Sequence, residues 1–310
     1  MTRKQKTMIA YGGIVAVVLI WAISPIIKKT FIGGCYSASI YSAVVGFSSA
    51  VALLLINLKN LKKLNHGYFK IAVPTGISLG IASLAQALAY NFNASPTNQA
   101  FLENLSCVAV PFILFLAVKK RPSLLTVSAA AVCLVSSMVL SGVFGSSFAF
   151  HTSDILNAFA GVMYGVNIAF TGIYAKKVSA SLYVMIQQFV QSLLAFVMAI
   201  AFNYIRIGSE PIDKFVFTFD VRLILILVAV GIVANAMCWT VRTSAMKYVS
   251  ANAVAVIMPF SSVLTGIFAI AMGQDKLSAS LVIGAVLGLA ACLMSAFDDI
   301  KESKKNSKKQ

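Results

Sequence analysis

Glu103 is the one charged residue in a mostly apolar run, 97–118. Gln99 lies four residues before it and Cys107 four after, so at helical spacing the three share a face, with Asn98 and Asn104 flanking it. An ionisable group inside hydrocarbon costs about 2.5–3.5 kcal/mol on insertion scales and is a functional candidate by default. Two chemistries fit: carrying a proton, or meeting a cationic group of a substrate. The structural alternative is a carboxyl tied to a neighbouring helix by Gln or Asn. Other polar residues recur at helical spacing. Trp21, Ser24, Pro25 and Lys28 form one stripe, and Gln86 and Tyr90 another, with Asn93 nearby. Tyr164, Asn167, Thr171 and Tyr174 form a third. Asn235, Trp239 and then Arg242 follow, and Gln191 sits beside Gln187 and Gln188. The glutamines suit interhelical hydrogen bonding first and substrate contact second. Lys28 and Lys29 end their run, where most lysines reach to the membrane interface.

These residues need helices to hold them, and the composition says of what kind. Of 310 residues, 59% are apolar and only 11% charged, against about 45–50% and 25% in soluble domains. That excludes a cytosolic enzyme, a nucleic-acid-binding domain and a disordered chain. At about 20 residues per crossing, ten apolar runs are long enough to span: 9–28, 36–57, 70–91, 97–118, 123–142, 154–175, 182–204, 221–241, 252–272 and 278–297. All must be helices, because an open strand leaves backbone groups unpaired in lipid. The first run follows Arg3, Lys4 and Lys6 and is read as an uncleaved first helix rather than a signal peptide.

Charge gives the topology. The net charge is +16. With residues 1–8 in the cytoplasm, the inner segments hold 19 Lys and Arg, including Arg242, and the outer ones hold 6, including Lys28. The positive-inside rule therefore predicts an even number of spans, both termini cytoplasmic, and a basic cytoplasmic tail over 298–310. The setting is a cell (cytoplasmic) membrane, with the lipid bilayer as partner.

Residues 87–124 and 245–278 share an order: a Tyr, a short Asn/Ser/Ala turn, an apolar helix with a proline (Pro111, Pro259), a tight charged turn, another helix. The charged turns align at an offset of about 153, and the prolines fall out of register. The chain thus divides into five-helix units, 9–142 and 154–297. Five is odd, so the copies must lie in opposite orientations. Two inverted repeats in an all-α membrane protein are the architecture of many secondary transporters, with the substrate near the midplane.

The whole of 9–297 resembles the drug/metabolite transporter superfamily, in its ten-helix form with two EamA-type domains. The matching residues are Trp21-Ala22 with Lys28, and Ala100-Phe101-Leu102 through Pro111 to Lys120-Arg121-Pro122-Ser123. In the second half they are Ala245 to Tyr248, Ser250-Ala251, Pro259 and Gly273 to Leu277. Members often carry Gly-Glu at the turn after helix 4 or 9; here the turns read Lys119-Lys120 and Gln274-Asp275. The resemblance implies export, or uptake, of small metabolites, often amino acids or related compounds.

The expected molecule is a secondary transporter working by alternating access, coupled to protons or to exchange. Trp21, Gln86, Tyr90, Gln99, Glu103, Tyr164, Asn167, Gln191, Asn235 and Trp239 are its expected substrate lining, with Glu103 the proton candidate. No cofactor or metal is expected. His66 and His151 are far apart, and Cys107, Cys133, Cys238 and Cys292 lie in apolar runs as small hydrophobes. There is no GxxxxGK[ST] phosphate loop, no TVGYG filter and no paired aspartate within the helices. A channel, a receptor or scaffold, and a membrane-embedded enzyme are the rivals. Three GxxxG pairs, Gly76/Gly80, Gly161/Gly165 and Gly284/Gly288, are expected to serve internal packing, with a homodimer interface as the alternative to a monomer.

Overall fold

The computed structural model describes residues 3–32, 34–119, 121–140, 151–207, 209–273 and 278–307. Expectations resting on Lys120, on Gln274, Asp275 and Lys276, on the last three residues, or on the side chains of Asn98, Phe101 and Cys292 lie outside the described residues.

The chain is an all-α, multi-pass membrane protein. Its helices are α1 (Arg3–Trp21), α2 (Ser24–Phe31), α3 (Ala38–Asn57), α4 (His66–Leu88), α5 (Pro96–Leu102), α6 (Leu105–Val118) and α7 (Leu124–Leu140). The second half holds α8 (Thr152–Tyr174), α9 (Ala180–Tyr204), α10 (Val221–Val230), α11 (Cys238–Ala245), α12 (Ala251–Ile257), α13 (Phe260–Ala271) and α14 (Ala279–Ser307). A π-helical segment, Gly231–Met237, joins α10 to α11. A two-residue ribbon pairs β1 (Arg206–Ile207) with β2 (Glu210–Pro211). Among the described residues, seven helical runs are long and apolar enough to cross a bilayer, and Leu105–Val118, Leu124–Ser136 and Val282–Ala291 are shorter apolar helices.

Four of the predicted crossings are not continuous helices. The first stops at Trp21 and restarts at Ser24, with Pro25 in the opening turn of α2, where its missing N–H costs nothing and its φ suits a helix start. The fourth breaks at Glu103 and Asn104, between α5 and α6. The ninth breaks at Met258 and Pro259, between α12 and α13. The eighth keeps its helical path but widens over the π segment.

A break frees carbonyls that lipid cannot satisfy, and α13 supplies the donors. Thr265 Oγ1 donates to Ala22 O at 2.7 Å, and Ser262 Oγ to Ala100 O at 2.6 Å. Trp21 Nε1 donates to Ala234 O in the π segment at 2.6 Å. The interrupted helices are thus tied to one another by hydroxyl and indole donors rather than by chance packing.

Close approach elsewhere depends on glycine. A Cβ on Gly161 would lie 2.7 Å from Leu102 O and 3.1 Å from Glu103 Cα, so α8 presses directly on the break in the fourth crossing. Gly76 and Gly80 meet the backbone of α9 at Gln187 and Gln191 in the same way. In the third pair, Gly284 O accepts from Ser136 Oγ of α7 at 2.7 Å. All three GxxxG pairs therefore sit on contacts inside this chain.

At one end of the bundle, residues 205–220 are laced to the turn before α3. Both carboxylate oxygens of Asp213 accept from the first N–H groups of α3, Ala38 at 3.0 Å and Ser39 at 2.8 Å, a cap suited to the positive end of the helix dipole. Ser37 N donates to Val216 O, and Thr218 N to Cys35 O.

Candidate functional site

The three breaks and the π segment all face one cavity of about 90 Å³. From the first half it takes Trp21, Ser24, Pro25, Lys28, Gln86, Ala100, Glu103, Asn104 and Ser106. From the second it takes Tyr164, Ile168, Asn235, Trp239, Arg242, Met258, Ser261 and Thr265. A smaller chamber beside it shares Ser24, Lys28, Tyr164, Asn235 and Trp239 and adds Ser83 and Gln191.

Six of the ten residues singled out in sequence thus border the main cavity: Trp21, Gln86, Glu103, Tyr164, Asn235 and Trp239. Gln191 borders the smaller chamber, where its Nε2 donates to Ser83 Oγ at 3.1 Å. The other three are not among the lining residues. Tyr90 braces the break in the first crossing, its hydroxyl donating to Pro25 O at 2.7 Å. Asn167 is buried behind the wall; its Nδ2 donates to Thr75 O at 2.9 Å and its Oδ1 accepts from Arg242 at 2.7 Å. Gln99 is buried, and among the described residues neither its amide nitrogen nor its oxygen has a hydrogen-bond partner. The expected common face of Gln99, Glu103 and Cys107 does not form. The break at Glu103 and Asn104 resets the helical phase, and Cys107 turns instead to Cys133 and Ala291.

Glu103 is engaged on its protein side. Gln86 bridges it to Lys28: the amide Nε2 donates to Glu103 Oε2 at 2.5 Å, while Oε1 accepts from Lys28 Nζ. Tyr164 adds a second donor to the same Oε1 at 3.2 Å. An amide between a cation and an anion satisfies both through one side chain, each bond being charge-assisted. Lys28 therefore does not extend to the interface. The bend at Trp21–Ser24 swings the start of α2 over the cavity, and the lysine stays inside.

Arg242 was absent from the expected lining and counted as a topology-setting charge, yet it is only 1% exposed and lies in the cavity wall. Its guanidinium carbon sits 3.9 Å from the centre of the Trp239 ring and 5.9 Å from that of Trp21, a desolvated cation–π arrangement. The two indoles are 5.1 Å apart, and Tyr164 stacks on Trp239 at 6.2 Å. The signal was present in the spacing: Asn235, Trp239 and Arg242 lie on one face. The π segment aims that face, because widening the helix turns Asn235 inward, where it also donates to Gln188 Oε1 at 3.2 Å. Such segments recur at functional sites.

Among the described residues no group of three or more His, Cys, Asp or Glu could hold a metal ion.

Residues 155–297 match the EamA-like transporter family. This is a family of transporters, not of enzymes, within the drug/metabolite transporter superfamily. The EamA-like segment contributes Tyr164, Asn235, Trp239, Arg242 and the α13 hydroxyls to the cavity. No curated protein matches the sequence. Among 28 matching chains of solved structures, one crystal structure aligns with a TM-score of 0.73 at 16% identity, over 97% of this chain and 99% of the other. That likeness extends to the fold and not to the substrate.

Proposed function

We propose that the protein is a secondary carrier of small organic metabolites, an exporter before an importer, working by alternating access around the central cavity. In this reading the chain crosses a cell membrane ten times, with both termini cytoplasmic. Residues 9–142 and 154–297 are inverted five-helix units that rock against each other.

The observation that carries the reading is the convergence of interrupted helices on one cavity lined by charged, polar and aromatic side chains. Discontinuous helices in corresponding positions of two halves point to a transporter's binding site. The breaks at Glu103-Asn104 and Met258-Pro259 fall in the fourth and ninth crossings, five apart. The packing partners support the same symmetry. Crossing 1 packs on 8 as 3 packs on 6; 4 packs on 6 as 9 packs on 1; 3 packs on 7 as 2 packs on 8; and 2 with 7 and 5 with 10 exchange into themselves. Removing Lys28 and Arg242 from the charge count leaves the inner excess in place, because one buried cation leaves each side.

Trp21, Gln86, Glu103, Tyr164, Asn235, Trp239 and Gln191 are proposed to face substrate. Tyr90, Asn167 and Gln99 are proposed to support them from behind. Flux in proteoliposomes, with a panel of amino acids, amines, nucleosides and sugar phosphates, tests the reading with and without a pH gradient. Saturable, trans-stimulated flux of one class is expected; flux that rises linearly with concentration belongs to a channel and sinks the carrier. Glu103 is the proposed proton carrier. Wild-type rates at every pH for Glu103→Gln remove that role.

A further inference from the structure

The cavity holds an unequal set of charges: Lys28 and Arg242 against Glu103. Lys28 and Glu103 are joined through Gln86. Among the described residues Arg242 has no carboxylate partner: its hydrogen bond goes to the neutral amide of Asn167, and its Nε has none. A lone buried cation is a costly arrangement unless something of opposite charge joins it. Trp239 covers the face of the guanidinium and Asn167 accepts from Nη2, which leaves further N–H donors of the fork for a carboxylate.

We propose that the carrier inferred above takes small organic molecules of net charge −1, whose carboxylate docks on Arg242, and that it exchanges one such anion for another. The proposal rests on the carrier reading. The charge balance gives both parts of it. A monoanion brings the cavity to neutrality, whereas an amine, a neutral molecule or a zwitterion leaves the excess positive charge in place. Protonation of Glu103 only enlarges that excess, so the demand for an anion holds in either state. In either state of Glu103, the empty cavity carries one more positive charge through the membrane when the halves rock than the loaded one does. The loaded form is therefore the easier one to turn over, and return with cargo outpaces return without it.

The chain has two tryptophans, Trp21 and Trp239, and both border the cavity beside Arg242. Intrinsic fluorescence of the intact protein in detergent thus reports on this site alone. Three isosteres differing in charge are titrated: lactate, alanine and lactamide, each also in its phenyl-substituted form. A saturable change is expected with a monoanion, at least about tenfold tighter than with the matching zwitterion or amide, a charge-assisted bond being involved. Arg242→Gln loses that preference and Arg242→Lys recovers part of it. Equal response to all three isosteres, or none to either monoanion, overturns the proposal, and that comparison needs no variant to fold.

Counterflow in proteoliposomes separates the two levels. Uptake accelerated by the same monoanion inside supports exchange, and equal uptake into empty vesicles overturns it. Saturable flux of an amine instead overturns the anion assignment and keeps the carrier. Monoanion binding with no flux of any compound supports the anion site and overturns the carrier.

Discussion

As the proposed inverted repeats, the two halves of the bundle present one scaffold with different chemistry. Each interrupts its fourth helix, at Glu103-Asn104 in one half and at Met258-Pro259 in the other. The first break holds a carboxyl engaged by Gln86. The second holds a thioether and a proline, and its half places its charge elsewhere, on Arg242 in the widened eighth crossing. In the first half a cation and an anion share an amide. In the second a cation rests on an aromatic face and a neutral amide. In the proposed carrier, backbone symmetry would supply the moving parts, and the uneven polar residues would recognise a molecule that is not itself symmetric.

The largest expected effect comes from Gln86→Leu, which strips both Lys28 and Glu103 of their shared partner. Breaking a buried charged contact of this kind costs about 3–5 kcal/mol, so flux falls by at least about a hundredfold, measured as initial rates in proteoliposomes. A variant at near wild-type rate means that the amide does not organise the pair. In the other half, Asn167→Ala frees Arg242 and Thr75 O but leaves Trp239 in contact. About 1–3 kcal/mol is expected, read as a weaker apparent substrate affinity and a lower melting temperature. An effect as large as that of Gln86→Leu would erase the proposed contrast between the halves.

Gly161→Val puts a side chain against Leu102 O and the Glu103 backbone. Overpacking of about 1–3 kcal/mol is expected, with the fluorescence of the cavity tryptophans changing as the break shifts. Unaltered melting and fluorescence would mean that α8 does not set the position of Glu103. Smallest are Ser262→Ala and Thr265→Ala, each removing one hydroxyl bond to a carbonyl of the first half. Each costs about 1 kcal/mol in a thermal melt, and the two together exceed their sum if the ties act as a unit.

The apolar helices were legible in the sequence because each is an apolar run bounded by charge or turn residues, although among the described residues seven of the ten expected runs are long enough to cross. Ends agree to within a few residues in most cases: 182–204 was expected and Ala180–Tyr204 is observed. The breaks were legible only in part. Pro25 marks one and Pro259 another, yet Pro111, paired with Pro259 by sequence, lies inside α6 without interrupting it, and the break in its run lies upstream at Glu103 and Asn104. A proline signals a lost donor, but whether the helix parts there depends on which neighbour can take the freed carbonyl. Here that neighbour is α13, more than 150 residues away from Ala100 in the chain. Arg242 was hidden for a related reason. Near the end of an apolar run a basic residue reads as a loop charge, and only the widened turn before it carries the side chain inward.

The ties from α13 have one further consequence. Ser262 and Thr265 lie three residues apart on a single helix, and they hold carbonyls belonging to two separate broken helices, Ala100 O and Ala22 O. One rod thus clasps both breaks of the opposite half. In the proposed carrier, a movement that loosened either clasp would shift the rod that carries the other, so the two would release together, as a latch with two positions rather than as a spring.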